Sequence, residues 1–169
     1  MSWIAPVPAH VDEGPYVGPV RAILQGYLDG MRTALPNICA GLTAEQLAER
    51  ADPPSTLSLL GLVRHMAKVE RTWLRIRVAG ENVEPLFPRT DEDFDDVDPG
   101  RAEAAMSALQ AEWAACDAAV ADLSLDRTFD RRGTEMSLGL VYVHLVAEYA
   151  RHNGHADLLR QSIDGVTGR

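Results

Sequence analysis

From Val20 the apolar residues Val20, Ile23, Leu24, Tyr27, Leu28, Met31 and Leu35 recur at steps of three and four, the period of an amphipathic helix. Pro36 is expected to end or kink this helix, because proline has no N–H to donate and its ring crowds the preceding turn. In "TAEQLAER", Thr43 and Gln46 stand at capping-box spacing and predict a short connecting helix, closed by "ADPPS". A second long helix is predicted over 56–78, where Leu62, Met66, Val69, Trp73 and Ile76 alternate steps of four and three like a bundle seam. The acidic, proline-rich stretch "ENVEPLFPRTDEDFDDVDPG" reads as a long surface crossover anchored by Phe87 and Phe94. Asp98 and Pro99 then supply a cap and first-turn proline for a third helix running to about Leu123, with Ala105, Leu109, Trp113, Cys116 and Val120 inward. After a loop around "SLDRTFDRRGTEM", Ser137 caps a fourth helix that continues to about Ile163 and stops at Gly165. No segment alternates like a strand. The expectation is an all-α four-helix bundle with a long crossover between the second and third helices, as one domain over 1–169 with its core at about 17–165.

One seam breaks the pattern. On the fourth helix the inward positions are Leu138, Val141, Leu145, Glu148, His152, His155 and Leu159, and three of these are ionisable. At about 100° per residue, His144, Glu148, His152 and His155 fall within an arc of roughly 80°. A carboxylate and imidazoles buried together cost several kcal/mol unless a hydrogen-bonded network or a cation compensates them. A cation suits these types, since Glu148 and His152 stand one turn apart and can reach one ion. His65, beside the apolar Leu62, Met66 and Val69 on the second helix, is the natural third ligand. Two imidazoles and a carboxylate suit zinc, nickel or ferrous iron, and three protein ligands leave positions for water or substrate. His155 and His144 flank the set, as hydrogen-bonding partners of the ligands, as a proton relay, or as an alternative ligand in place of Glu148.

Composition narrows the field around that site. A formal charge of −9 and a pI near 4.9 would repel a phosphate backbone, which excludes an ordinary nucleic-acid binder. No apolar run reaches membrane-span length, and Met1 to His10 lacks the features of a signal peptide, so a cytoplasmic chain is expected with no membrane partner. Cys39 and Cys116 form no CxxC pair and read as buried, reduced core residues. His10 lies in an irregular proline-rich start. Trp73 and Trp113 read as core packing, while Glu70 and Arg71 are expected to face solvent or pair locally.

The segments "SLLGLVRHMAKVERTW" and "EMSLGLVYVHLVAEYARHNGHADLLRQSIDG" resemble the DinB/YfiT-like superfamily in its actinobacterial branch, and the likeness extends through "DEDFDDVDP" to cover about 17–165. The resemblance implies a four-helix bundle whose metal site takes a histidine from the second helix and a pair spaced by four on the last, which map onto His65, Glu148 and His152. Many relatives have histidine at the position of Glu148, but the branch related to mycothiol-dependent maleylpyruvate isomerase has glutamate. His155 stands where many relatives carry glutamine. What this implies is a zinc-dependent thiol transferase or isomerase acting on mycothiol and an electrophile; His155 or His144, on the same stripe, is the residue expected to handle the proton. The alternatives are a non-catalytic stress protein that binds a metal or small molecule, and a metal-free bundle with a buried polar network. A symmetric homodimer is also expected, on the general habit of bundles with a free apolar face.

Overall fold

The computed structural model describes residues 3–8 and 14–167; His10 lies outside them. The chain is mostly helical. Helix α1 (Val20–Cys39) is followed by α2 (Ala44–Ala48), α3 (Leu59–Glu70), α4 (Glu92–Asp95), α5 (Ala102–Val120), strands β1 (Thr128–Arg131) and β2 (Thr134–Ser137), and α6 (Leu138–Asp164). Helix α1 lies mainly against α6, α3 lies mainly against α5, and α3 also meets α6. The core between them is continuous, from Leu28, Leu35 and Leu59 through Met66, Leu109 and Cys116 to Leu145 and Tyr149, all buried. Both cysteines are buried and unpaired, and burial pushes the Cys39 thiol up to about 12. Among the described residues no helix is long and apolar enough to cross a membrane.

Helix boundaries follow their caps. Thr43 and Gln46 form the reciprocal capping box of α2. Asp98 accepts the Gly100 N–H at 2.9 Å and starts a 3-10 turn, Pro99–Arg101, that runs into α5. Ser137 caps α6, and Gly165 ends it at φ 78°, a conformation that glycine adopts without a Cβ clash. Helix α3 starts later than expected, at Leu59 instead of residue 56, because Ser58 accepts the Gly61 N–H. Helix α1 runs past Pro36 to Cys39, so the proline does not end it. It lies in the last turn, where few hydrogen bonds remain to be lost.

Three differences from the expected pattern matter for the site. First, Arg71–Val78 continues α3 as a π-helix. The wider turn inserts one residue into the seam, so Leu74 and Val78 are buried beside Trp73 while Ile76 is only partly covered. Second, the segment expected as a loop at 124–136 contains an antiparallel hairpin in which Phe129 pairs with Met136. Its two-residue turn, Arg132 and Gly133, has φ of 55° and 81°, the left-handed pair that lets the turn follow the strand twist. Third, Glu70 does not face solvent: it is fully buried, and Arg32 of α1 donates to its two oxygens at 2.7 and 2.8 Å. Tyr149 of α6 also donates to Glu70, at 3.0 Å. Arg71 pairs with Glu112 of α5.

Candidate metal centre

His65 projects from α3, and Glu148 and His152 project from successive turns of α6. One ligand atom from each lies within 4.8 Å of the other two. Tetrahedral coordination at zinc bond lengths would place such atoms about 3.4 Å apart. His152 Nε2 stands 3.4 Å from Glu148 Oε2, yet no hydrogen bond joins them. The His65 and His152 rings meet edge to face with centroids 4.7 Å apart.

Asp93 orients His65. The crossover folds into α4 beside α3 and delivers this carboxylate into the interior, where it is 1% exposed. His65 Nδ1 lies 2.7 Å from Asp93 Oδ2, and Lys68 Nζ donates to Oδ1 at 2.8 Å. Burial would raise the Asp93 carboxyl, but the bonds from His65 and Lys68 outweigh it and hold the group at about 2. Asp93 is therefore an acceptor at neutral pH, so the shared proton sits on His65 Nδ1 and Nε2 is the ring nitrogen free of that bond. Phe94 stacks on the same imidazole at 4.7 Å. Phe87 anchors the crossover elsewhere, beneath the Arg64 guanidinium. Arg64 in turn donates to the carbonyls of Glu92 and Asp96.

His152 is held in the neutral form: burial, and after it the neighbouring His65, lower it to about 4. Its Nδ1, like that of His155, is buried with no hydrogen-bond partner. The His155 ring lies 5.4 Å from that of His152. His144 is more open; its Nε2 is 3.9 Å from Glu148 Oε1 and its ring packs against Trp73 at 4.5 Å. Burial lowers its pKa, and Arg131 and Arg77 add to this against the pull of Glu148. Trp73 thus does more than fill core, because it packs against a histidine that flanks the cluster. Trp113 is partly buried and donates to Tyr149 at 2.8 Å.

A convergent pair of imidazoles and a carboxylate, with a further carboxylate behind one imidazole, is a donor set suited to a divalent ion. A cavity of about 740 Å³ lies elsewhere, lined by Arg64, Phe87, Arg89 and Asp96 of the α3 and crossover side and by Ala104 and Ala108 of α5; none of His65, Glu148 and His152 lines it.

The fold and this cluster define a mostly helical protein with a candidate site of two histidines and one carboxylate. The chain belongs to the mycothiol-S-transferase family, whose model matches residues 23–165, a DinB-like family related to mycothiol-dependent enzymes. This bears out the resemblance carried by the second and fourth helices. No curated protein and no solved structure matches the chain.

Three contributors escaped the sequence reading. Asp93 sits in a run of acids, Asp91, Glu92, Asp93, Asp95 and Asp96, in which nothing marks the one that turns inward. Arg77 and Arg131 reach His144 only because the π-helical segment and the hairpin bring them to Trp73.

Proposed function

We propose that this protein is a metal-dependent thiol S-transferase built as a four-helix bundle, with His65, Glu148 and His152 holding a divalent ion, zinc by preference, and mycothiol as the thiol. The observation that carries the reading is the convergence of those three side chains, with Asp93 behind His65, in a chain of the mycothiol-S-transferase family. The donor set fits an ion: His65 is tied to Asp93 through Nδ1, which leaves Nε2 free of that bond, His152 is neutral at physiological pH, and Nδ1 of His152 and of His155 is buried with no hydrogen-bond partner. When bound, such an ion supplies positive charge that favours thiolate over thiol near neutral pH.

The chain's own residues do the rest. Asp93 and Lys68 fix the ring of His65 and its tautomer, so little reorganisation accompanies ligation. His144, kept neutral by burial and the nearby arginines, accepts the thiol proton at Nε2, beside Glu148. His155 supports His152 from the next turn and is the second candidate for proton transfer. Trp73 and Phe94 cover the two flanks and limit water access. Neither buried cysteine takes part.

Elemental analysis of protein purified without a histidine tag tests the site, followed by conjugation of mycothiol to a model electrophile. Near-stoichiometric ion in the wild type, lost together with transfer in His65→Ala and His152→Ala, is the expected result. Transfer that survives both substitutions and chelation overturns the mechanism. Bound ion without transfer to any electrophile would leave the non-catalytic binding role instead.

A further inference from the structure

Arg77 and Arg131 differ from the chain's other anchored arginines in what they touch. Arg32, Arg71, Arg75 and Arg160 are bound to carboxylates, and Arg21 and Arg64 to backbone carbonyls. Arg77 and Arg131 each lie over the ring of Trp73, with Cζ at 4.2 and 5.2 Å from its centroid, and among the described residues neither forms an ion pair. Acid is not scarce, since the chain has 25 Asp and Glu against 16 Lys and Arg. The hairpin turns its own acids away instead. Strand side chains alternate between faces, so Phe129 and Arg131 share the face toward Trp73 while Asp130 and Glu135, opposite each other in the register, take the other. A cation over an aromatic face is held without using its N–H groups. Two guanidinium forks are thereby braced on one rigid ring, with N–H groups that no carboxylate among the described residues takes up. That ring touches His144, whose Nε2 is 3.9 Å from Glu148, so the indole and one imidazole stand between the pair and the candidate metal ligands.

We propose that Arg77 and Arg131, braced on Trp73, form an anion subsite that receives a carboxylate of the electrophilic substrate, a selectivity that rests on the thiol-transfer reading above. The planar fork matches a carboxylate in bidentate geometry. An acceptor for this enzyme is then an acid whose carboxylate is set apart from its electrophilic carbon by a spacer such as an aromatic ring, and a neutral isostere is a poor substitute.

The test separates binding from transfer. Full-length zinc-loaded protein is titrated calorimetrically with 3,5-dinitrobenzoate and with neutral 3,5-dinitrobenzamide. The acid is expected to bind at least tenfold more tightly. Arg77→Gln and Arg131→Gln should each reduce that preference, and the double variant should abolish it with metal content and melting temperature retained; Arg77→Lys should keep part of it. Equal binding of acid and amide, a preference that survives in the double variant, or one that follows metal content instead of the arginines overturns the subsite. In the transfer arm, mycothiol attacks 4-chloro-3,5-dinitrobenzoate or its amide. The S–C bond forms, C–Cl breaks with chloride leaving, and the thiol proton passes to His144 and then to solvent. The acid-over-amide ratio in kcat/KM should fall tenfold in the double variant. Absence of transfer with either compound counts against the thiol-transfer reading, and the calorimetric preference then decides the subsite alone.

Discussion

Two polar clusters lie on the same pair of helices and are closed in opposite ways. Around Glu70 of α3 and Tyr149 of α6, the donors and acceptors answer one another. Arg32 grips Glu70 through two bonds and places its remaining nitrogen 3.0 Å from Asp29 and 2.9 Å from Asp117, while Tyr149 accepts from Trp113 and donates to Glu70. Around His65 of α3 and Glu148 of α6, closure stops halfway. Asp93 satisfies His65 on one side, but Glu148 and His152 face each other without a hydrogen bond, and two imidazole nitrogens are buried without partners. Adjacent residues, Glu148 and Tyr149, thus belong to different kinds of site. A polar cluster that completes its own bonding specifies the fold, whereas one with convergent lone pairs is organised for something brought from outside.

Breaking the closed cluster should have the largest effect. Arg32→Ala leaves Glu70 as an uncompensated buried charge and should destabilise the protein by about 3–5 kcal/mol in chemical denaturation; a loss below about 1 kcal/mol would deny it the structural role. The open cluster should respond to acid. His152 has a folded-state pKa of about 4 against an ordinary value of 6.5, so the unfolded chain binds the proton more readily in that window. Its contribution is complete above pH 6.5 and is lost as pH falls toward 4, by up to about 3 kcal/mol. Comparing chelated wild type with His152→Gln isolates it: the variant should show a shallower fall across pH 6.5 to 4, and parallel curves would contradict the burial argument. Asp93→Asn sharpens the contrast, since it should lower metal affinity about 10- to 100-fold in competition titrations while leaving a folded chain. An unchanged affinity would mean that His65 needs no partner. The smallest effect belongs to Trp113→Phe. Tyr149 keeps its bond to Glu70, so the loss should be about 1 kcal/mol by thermal melting.

Most of this arrangement was legible where a periodic pattern or a cap spoke for itself. Ser137, Gly165 and the step-of-four pair Glu148 and His152 are local features, and the structure brings His65 to them as the seam of α3 implied. What escaped was set by tertiary context. The π-helical segment comes from a one-residue surplus that no propensity records, and it moved the buried face to Leu74 and Val78. The hairpin was hidden because its turn is Arg-Gly, not the more familiar Asn-Gly, and because only Phe129 and Met136 give it a partly covered face. Glu70 looked like a surface residue because its partner Arg32 is 38 positions away in the chain. The inward turn of Asp93 depends on Lys68 and His65 waiting for it, which composition cannot express.

Asp93 also ties together two events that are usually treated separately. The carboxylate that orients the His65 ring belongs to the crossover, so under the proposed function ordering of residues 80–100 and uptake of an ion by the cluster would be thermodynamically linked. Whatever pins α4 in place would then raise affinity at His65, and an ion bound there would protect the crossover from local opening by the same factor. Protease resistance of that segment would then serve as a reporter of the ion, and the acidic loop as a handle by which a neighbouring molecule could tighten or loosen the site without touching it.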